Sequence, residues 1–150
     1  HVVEVEVDIG TGHVTIAGYW IVDDCGRAIN PQVVHGQVIG GVAHGIGNAL
    51  LERLKFDEHA QPLTTTFADY LLPLANDMPR IDVGHMESPS PLNPLGVKGA
   101  GEGGTLPAIA AVIGAIEDAL SPFGVTIDEA PVSPLRIVAL IRAAAPQVYE

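Results

Sequence analysis

Gly96-Val97-Lys98-Gly99-Ala100-Gly101-Glu102-Gly103-Gly104-Thr105, running straight into the apolar stretch Leu106 to Leu120, organises the reading of this chain. One lysine and one carboxylate stand among five glycines. Glycine lets the backbone take φ > 0 and approach a ligand with no Cβ in the way. A glycine-rich segment that opens a helix also directs unpaired N–H groups at any anion bound there. The stretch predicts a loop for close backbone approach, then a helix, with one ionisable carboxylate in the middle. The other residues read as its scaffold.

Upstream of the loop, Ser88 to Pro94 carries three prolines and predicts a rigid, extended connector. Arg80 to Glu87 alternates and predicts a strand. Asp57 to Pro62 reads as a polar turn and Leu63 to Leu72 as an extended stretch. Gln32 to Leu54 predicts a helix of unusual composition, with Gly36, Gly40, Gly41, Gly45 and Gly47 inside it. Each interior glycine costs roughly 0.8–1 kcal/mol relative to alanine. Such a penalty points to close contact, either with a packed neighbour or with a ligand near Gln37.

At the start of the chain, valines 2, 5 and 7 interleave with Glu4, Glu6 and Asp8, Val3 being the exception. That is a strand with one wet face. Gly10-Thr11-Gly12 supplies a turn, and Val14 to Val22 completes a hairpin. The first strand opens with no lead-in, as expected of a chain cut from something longer. Asp23 to Arg27 and Asn30-Pro31 read as turns.

Downstream of the loop helix, Ser121-Pro122-Phe123-Gly124 is a stop signal and Val125 to Ile127 a short strand. Ser133 as N-cap and Pro134 at the first helical position open a last helix to Ala144. The order β-β-α-β-loop-α-β-α predicts an α+β fold, with residues 1–150 forming one domain or one piece of a larger one.

Composition narrows the function. Hydrophobic residues make up 47% of the chain, which argues against disorder. The formal charge of −11 argues against nucleic acid or an anionic membrane surface as a partner. A single cysteine, Cys25, leaves no internal disulfide and no iron–sulfur cluster held by this chain's cysteines alone. Cys25 reads as a small buried residue. No apolar run reaches membrane-spanning length. A cytoplasmic chain is expected.

Several chemistries fit the loop poorly. Gly99-x-Gly101-x-x-Gly104 has dinucleotide-fingerprint spacing, but a proline-rich connector stands where a strand should precede it. The acidic residues about 20 positions on, Glu117 and Asp118, fall inside a helix. Lys98 precedes its glycines, opposite to a P-loop. His35 and His44 do not share a helical face, which argues against metal ligation by that pair. Glu102 remains, open to two readings from spacing alone. It is a general base balanced between backbone donors and an apolar pocket, or a helix-capping glutamate.

The loop also resembles the active-site loop of the molybdenum hydroxylases, the large-subunit family of xanthine dehydrogenase, aldehyde oxidase and aerobic carbon monoxide dehydrogenase. Asp23-Asp24-Cys25-Gly26-Arg27-Ala28-Ile29-Asn30-Pro31, Gly36 to Gly47 and Ser88 to Pro94 resemble the same family in the same order. His44 departs from it, standing where relatives often carry glutamine. The resemblance covers the C-terminal, molybdopterin-binding part of a subunit several times longer. It implies oxidation of an aldehyde, an N-heterocycle or carbon monoxide, with Glu102 as the catalytic base. It places Gln37, Lys98, Gly99 and Gly101 against the cofactor and assigns no metal ligand to this chain. The implied cofactor is molybdopterin with molybdenum, expected as the cytosine dinucleotide. The implied partners are the rest of the large subunit, and iron–sulfur and flavin (FAD) subunits that carry electrons away. The isolated chain is then expected to be inactive. The rival readings are an interaction module that keeps the fold without turnover and a stand-alone nucleotide binder.

Overall fold

The computed structural model describes residues 1–149. Strand β1 (Val2–Val7) and strand β2 (Val14–Asp24) form the expected hairpin, paired antiparallel from Val7↔Val14 to Val2↔Trp20. Asp8 closes the turn by accepting the N–H groups of Gly10 and Thr11 at 2.8 and 3.1 Å. Val3, Val5 and Val7 take the inner face of β1, while Val2 is exposed with Glu4 and Glu6. The exception to the alternation is therefore Val2, not Val3. A bulge between Glu4 and Val5 shifts the pairing there.

Strand β3 (Ile81–Met86) lies where alternation predicts and pairs parallel to β2, giving a three-stranded sheet in the order β1-β2-β3. Helix α1 (Pro31–Leu50) begins with the Asn30 side chain accepting the Val33 N–H, and Pro31 holds the first helical position. It stops four residues short of the predicted Leu54. The Thr64 hydroxyl accepts the Lys55 N–H and donates to the Arg53 carbonyl, which draws the chain out of the helix.

Helix α2 (Thr105–Ala119) follows the glycine loop, and α3 (Pro134–Ala144) opens with Ser133 accepting the Arg136 N–H. Val38, Val42, Ile46 and Ala49 of α1 and Ala108, Val112 and Ile116 of α2 are buried with Tyr19 and Ile21 of β2. This core continues through Leu120 to Ile137 and Ile141 of α3. Three expectations fail. Leu63 to Leu72 forms no strand and is broken by a turn at 67–69, with the Asp69 and Tyr70 N–H groups returning to the Thr66 carbonyl. Val125 to Ile127 is not a strand. Val125 and Ile127 are buried in the core, but that segment pairs with no strand of the sheet. Ser88 to Pro94 is extended only at first and then turns back, closed by Gly96 N–H to the Asn93 carbonyl. No helix among the described residues is long and apolar enough to cross a membrane.

Candidate active site

The glycine loop is clamped at its base by Asp24, the last residue of β2. One carboxylate oxygen accepts the N–H groups of Gly26 and Ser88 at 2.9 and 3.1 Å; the other meets Lys98 Nζ at 3.1 Å. Hydrogen bonding from Ser88, then from the Gly26 N–H and Lys98, holds the Asp24 carboxyl well below the usual carboxylate range. The Arg27 N–H donates to the Gly96 carbonyl at 3.0 Å and the Lys98 N–H to the Cys25 carbonyl at 2.8 Å. Gly26 and Gly96 both take positive φ, so the two backbones cross as closely as this pattern requires. Asn93 braces the segment from the other side, its side chain bonding both the Val97 N–H and the Val97 carbonyl. Cys25 is buried, as read from the sequence.

Beyond this base the loop tip is open. Gly99, Gly101 and Glu102 are exposed. The Glu102 carbonyl accepts the N–H groups of Thr105 and Leu106, so the residue sits at the very start of α2. Its carboxylate does not cap that helix. Among the described residues it enters no ion pair. The helix-capping alternative therefore fails.

Packing brings α1 to the same corner. A Cβ on Gly41 would lie 2.9 Å from the Thr105 nitrogen, one on Gly104 would strike the Val38 carbonyl, and one on Gly45 would strike Ala108. These glycines are spent on the α1–α2 contact, the first of the two explanations that composition left open. Gln37 precedes Val38 and is exposed, so its segment and that of Glu102 meet although they are far apart in sequence.

A second set of glycines has no such explanation. Cβ atoms at Gly36 and Gly40 on α1, and at Gly99 and Gly101 on the loop, would meet nothing within 4 Å. Gly36 and Gly40 lie on one exposed stripe of α1 with Val33, Gln37 and His44. The fold does not need these residues to be glycine. Bare backbone on both the helix and the loop fits a bulky, hydrogen-bonding cofactor laid across the corner, with Gln37 as an amide beside it. The Lys98 ammonium at the loop base is engaged by Asp24. At the loop base, a cleft of about 240 Å³ is lined by residues including Arg27, Val34, Lys98 and Ala100.

His35 meets the His85 ring at 6.0 Å between centroids, and no group of three or more metal-binding side chains assembles among the described residues. Asp24 and Asn93 were missed from the sequence. Their signal was available only as a short polar residue beside a glycine turn.

A model of the molybdopterin cofactor-binding domain matches residues 1–79. The nicotine 6-hydroxylase large subunit of Paenarthrobacter nicotinovorans is 44% identical over 138 residues, covering 92% of this chain and 17% of that protein. The 6-hydroxypseudooxynicotine dehydrogenase complex subunit gamma of the same bacterium is 45% identical over 136 residues, covering 90% of this chain and 17% of that one. The crystal structure of quinoline 2-oxidoreductase from Pseudomonas putida 86 superposes with a TM-score of 0.90 at 44% identity, over 93% of this chain and 18% of that chain. The chain thus spans less than a fifth of the length of the relatives it matches.

Proposed function

This chain belongs to the molybdopterin cofactor-binding domain family, and from that premise we propose that it is one part of the catalytic subunit of a molybdenum hydroxylase, with Glu102 as the general base. The observation that carries the proposal is the state of Glu102. It is an exposed carboxylate at a helix start that neither caps the helix nor pairs with a described cation. It stands in a loop whose glycines Gly99 and Gly101 are not needed by internal packing. A residue so placed is free to act on something bound from outside the chain.

In this reading Gln37, Lys98, Gly99 and Gly101 hold a molybdopterin, proposed as the cytosine dinucleotide. Gln37 offers both an amide donor and an acceptor. Gly99 and Gly101 offer backbone N–H groups that no side chain screens. Lys98 anchors the loop to Asp24 and keeps a positive charge at its base. The bound molybdenum centre supplies the redox chemistry, while the protein positions it and handles protons. Glu102 takes a proton onto its carboxylate as substrate is oxidised and returns it to solvent. Iron–sulfur and FAD partner subunits would supply the onward path for electrons, in a complex proposed to be cytoplasmic. The substrate class is proposed to be an aromatic N-heterocycle, in keeping with relatives named for nicotine and quinoline. Turnover requires the remainder of the large subunit.

The test is Glu102→Gln in the complete large subunit assembled with its partners. Molybdenum content should stay at the wild-type level while kcat falls by about 10²–10⁴-fold. Unchanged turnover overturns the base assignment. A wild-type complex that folds and holds no molybdenum would instead favour a module that keeps the fold without catalysis.

A further inference from the structure

Asp23 is the strongest unexplained residue near the loop. On the inner face of β2 the column runs Tyr19, Ile21, Asp23, and on β3 the residues in register are Ile81, Val83 and His85. Tyr19 and Ile21 are buried in the core. By alternation the next residue should also be apolar, yet a carboxylate stands there. One oxygen, Oδ1, occupies the space a side chain on residue 103 would need, 2.9 Å from where its Cβ would lie. The other, Oδ2, is closed off from solvent and has no hydrogen-bond partner among the described residues. Its neighbour Asp24, by contrast, is satisfied by three donors.

An unpaired buried carboxylate oxygen lowers stability, and a fold retains one only where something else depends on it. The other oxygen of the same carboxylate, Oδ1, stands against Gly103, the residue that follows Glu102. The backbone N–H groups of Gly101, Glu102, Gly103 and Gly104 find no backbone acceptor among the described residues. We infer that Asp23 is a positioning residue for Glu102. Its carboxylate buttresses the Glu102–Gly103 backbone and offers Oδ2 to the N–H groups of the loop when cofactor and substrate are in place. Asp23 acts through the loop and does not touch the reacting atoms. The inference rests on the assignment of Glu102 as the base.

The experiment is Asp23→Asn in the complete large subunit with its partners. Asparagine keeps the shape, removes the charge and replaces one acceptor by a donor. Thermal stability should be equal or higher, because the charge carried by a closed-off, unpaired oxygen has been removed. Molybdenum content should be unchanged, kcat should fall at least tenfold and KM should change less than twofold. Hydrogen–deuterium exchange across Gly101 to Gly104 should speed up. A merely structural residue would give the opposite pattern, with lower stability and unchanged kcat, and that result overturns the inference. Glu102→Gln run in parallel separates the two failures. If it is inactive while Asp23→Asn matches wild type in kcat and exchange, only the role of Asp23 is wrong. If Glu102→Gln keeps turnover, the base assignment fails, and unchanged exchange in Asp23→Asn then removes the buttress as well.

Discussion

Gly104 sits against the carbonyl oxygen of Val38 more closely than any residue with a Cβ could. This one contact sets where α2 begins relative to α1, and therefore where Glu102 stands. Gly104→Ala must push the helices apart at their tightest point, a form of overpacking that costs typically 1–3 kcal/mol. The expected outcome is a lower Tm of the large subunit, with kcat reduced as the loop shifts. A Tm equal to wild type would show that the contact gives way without consequence.

The open glycines should behave in the opposite way. A Cβ at Gly36 or Gly40 meets nothing within 4 Å among the described residues, and alanine there relieves a helix-interior glycine, worth roughly 0.8–1 kcal/mol in propensity. These variants should be as stable as wild type or more so, yet retain less molybdenum and pterin because methyl groups now stand on the cofactor face. Metal analysis and a melting curve on the same preparation check both halves. Full cofactor content in the double variant would remove α1 from the site.

Asp24 gives the loop clamp a pH dependence whose sign is fixed. Its folded carboxyl titrates below the ordinary value of 3.8. The unfolded chain therefore binds the proton first as pH falls. The stabilisation is fully present above 3.8 and is lost as pH drops below it toward the depressed folded value. Chemical denaturation of wild type and Asp24→Asn should show a gap that narrows as pH falls through this window. A gap that is constant with pH would mean that the carboxylate charge is not what holds Gly26, Ser88 and Lys98 together.

Local signals in the chain suffice where one element dictates its own conformation. Ser133-Pro134 caps α3, and the alternation of Arg80 to Glu87 becomes β3. Readings failed where a neighbour decides. Val125 to Ile127 is apolar enough for a strand, but no sheet edge lies beside it, so its side chains enter the core without backbone pairing. Leu63 to Leu72 reads as extended, but the Thr66 carbonyl closes a turn with the Asp69 and Tyr70 N–H groups, and Thr64 ties the start of the segment back to Lys55 and Arg53. Which of Val2 and Val3 faces inward was likewise undecidable from a run of adjacent valines, because the facing strand and α2 settle it.

For the candidate site the division is similar. Composition and order along the chain determined the glycine loop, its single carboxylate Glu102, the helix that follows and the resemblance that gives them meaning. These are properties of consecutive residues, and covalent connection preserves them. Only the tertiary structure sorted the glycines into those pressed between α1 and α2 and those left open. Only it paired Lys98 with Asp24 and placed Asp23 beneath Gly103. Each of those facts joins residues distant in sequence, and distance through space is set by how the sheet and helices pack.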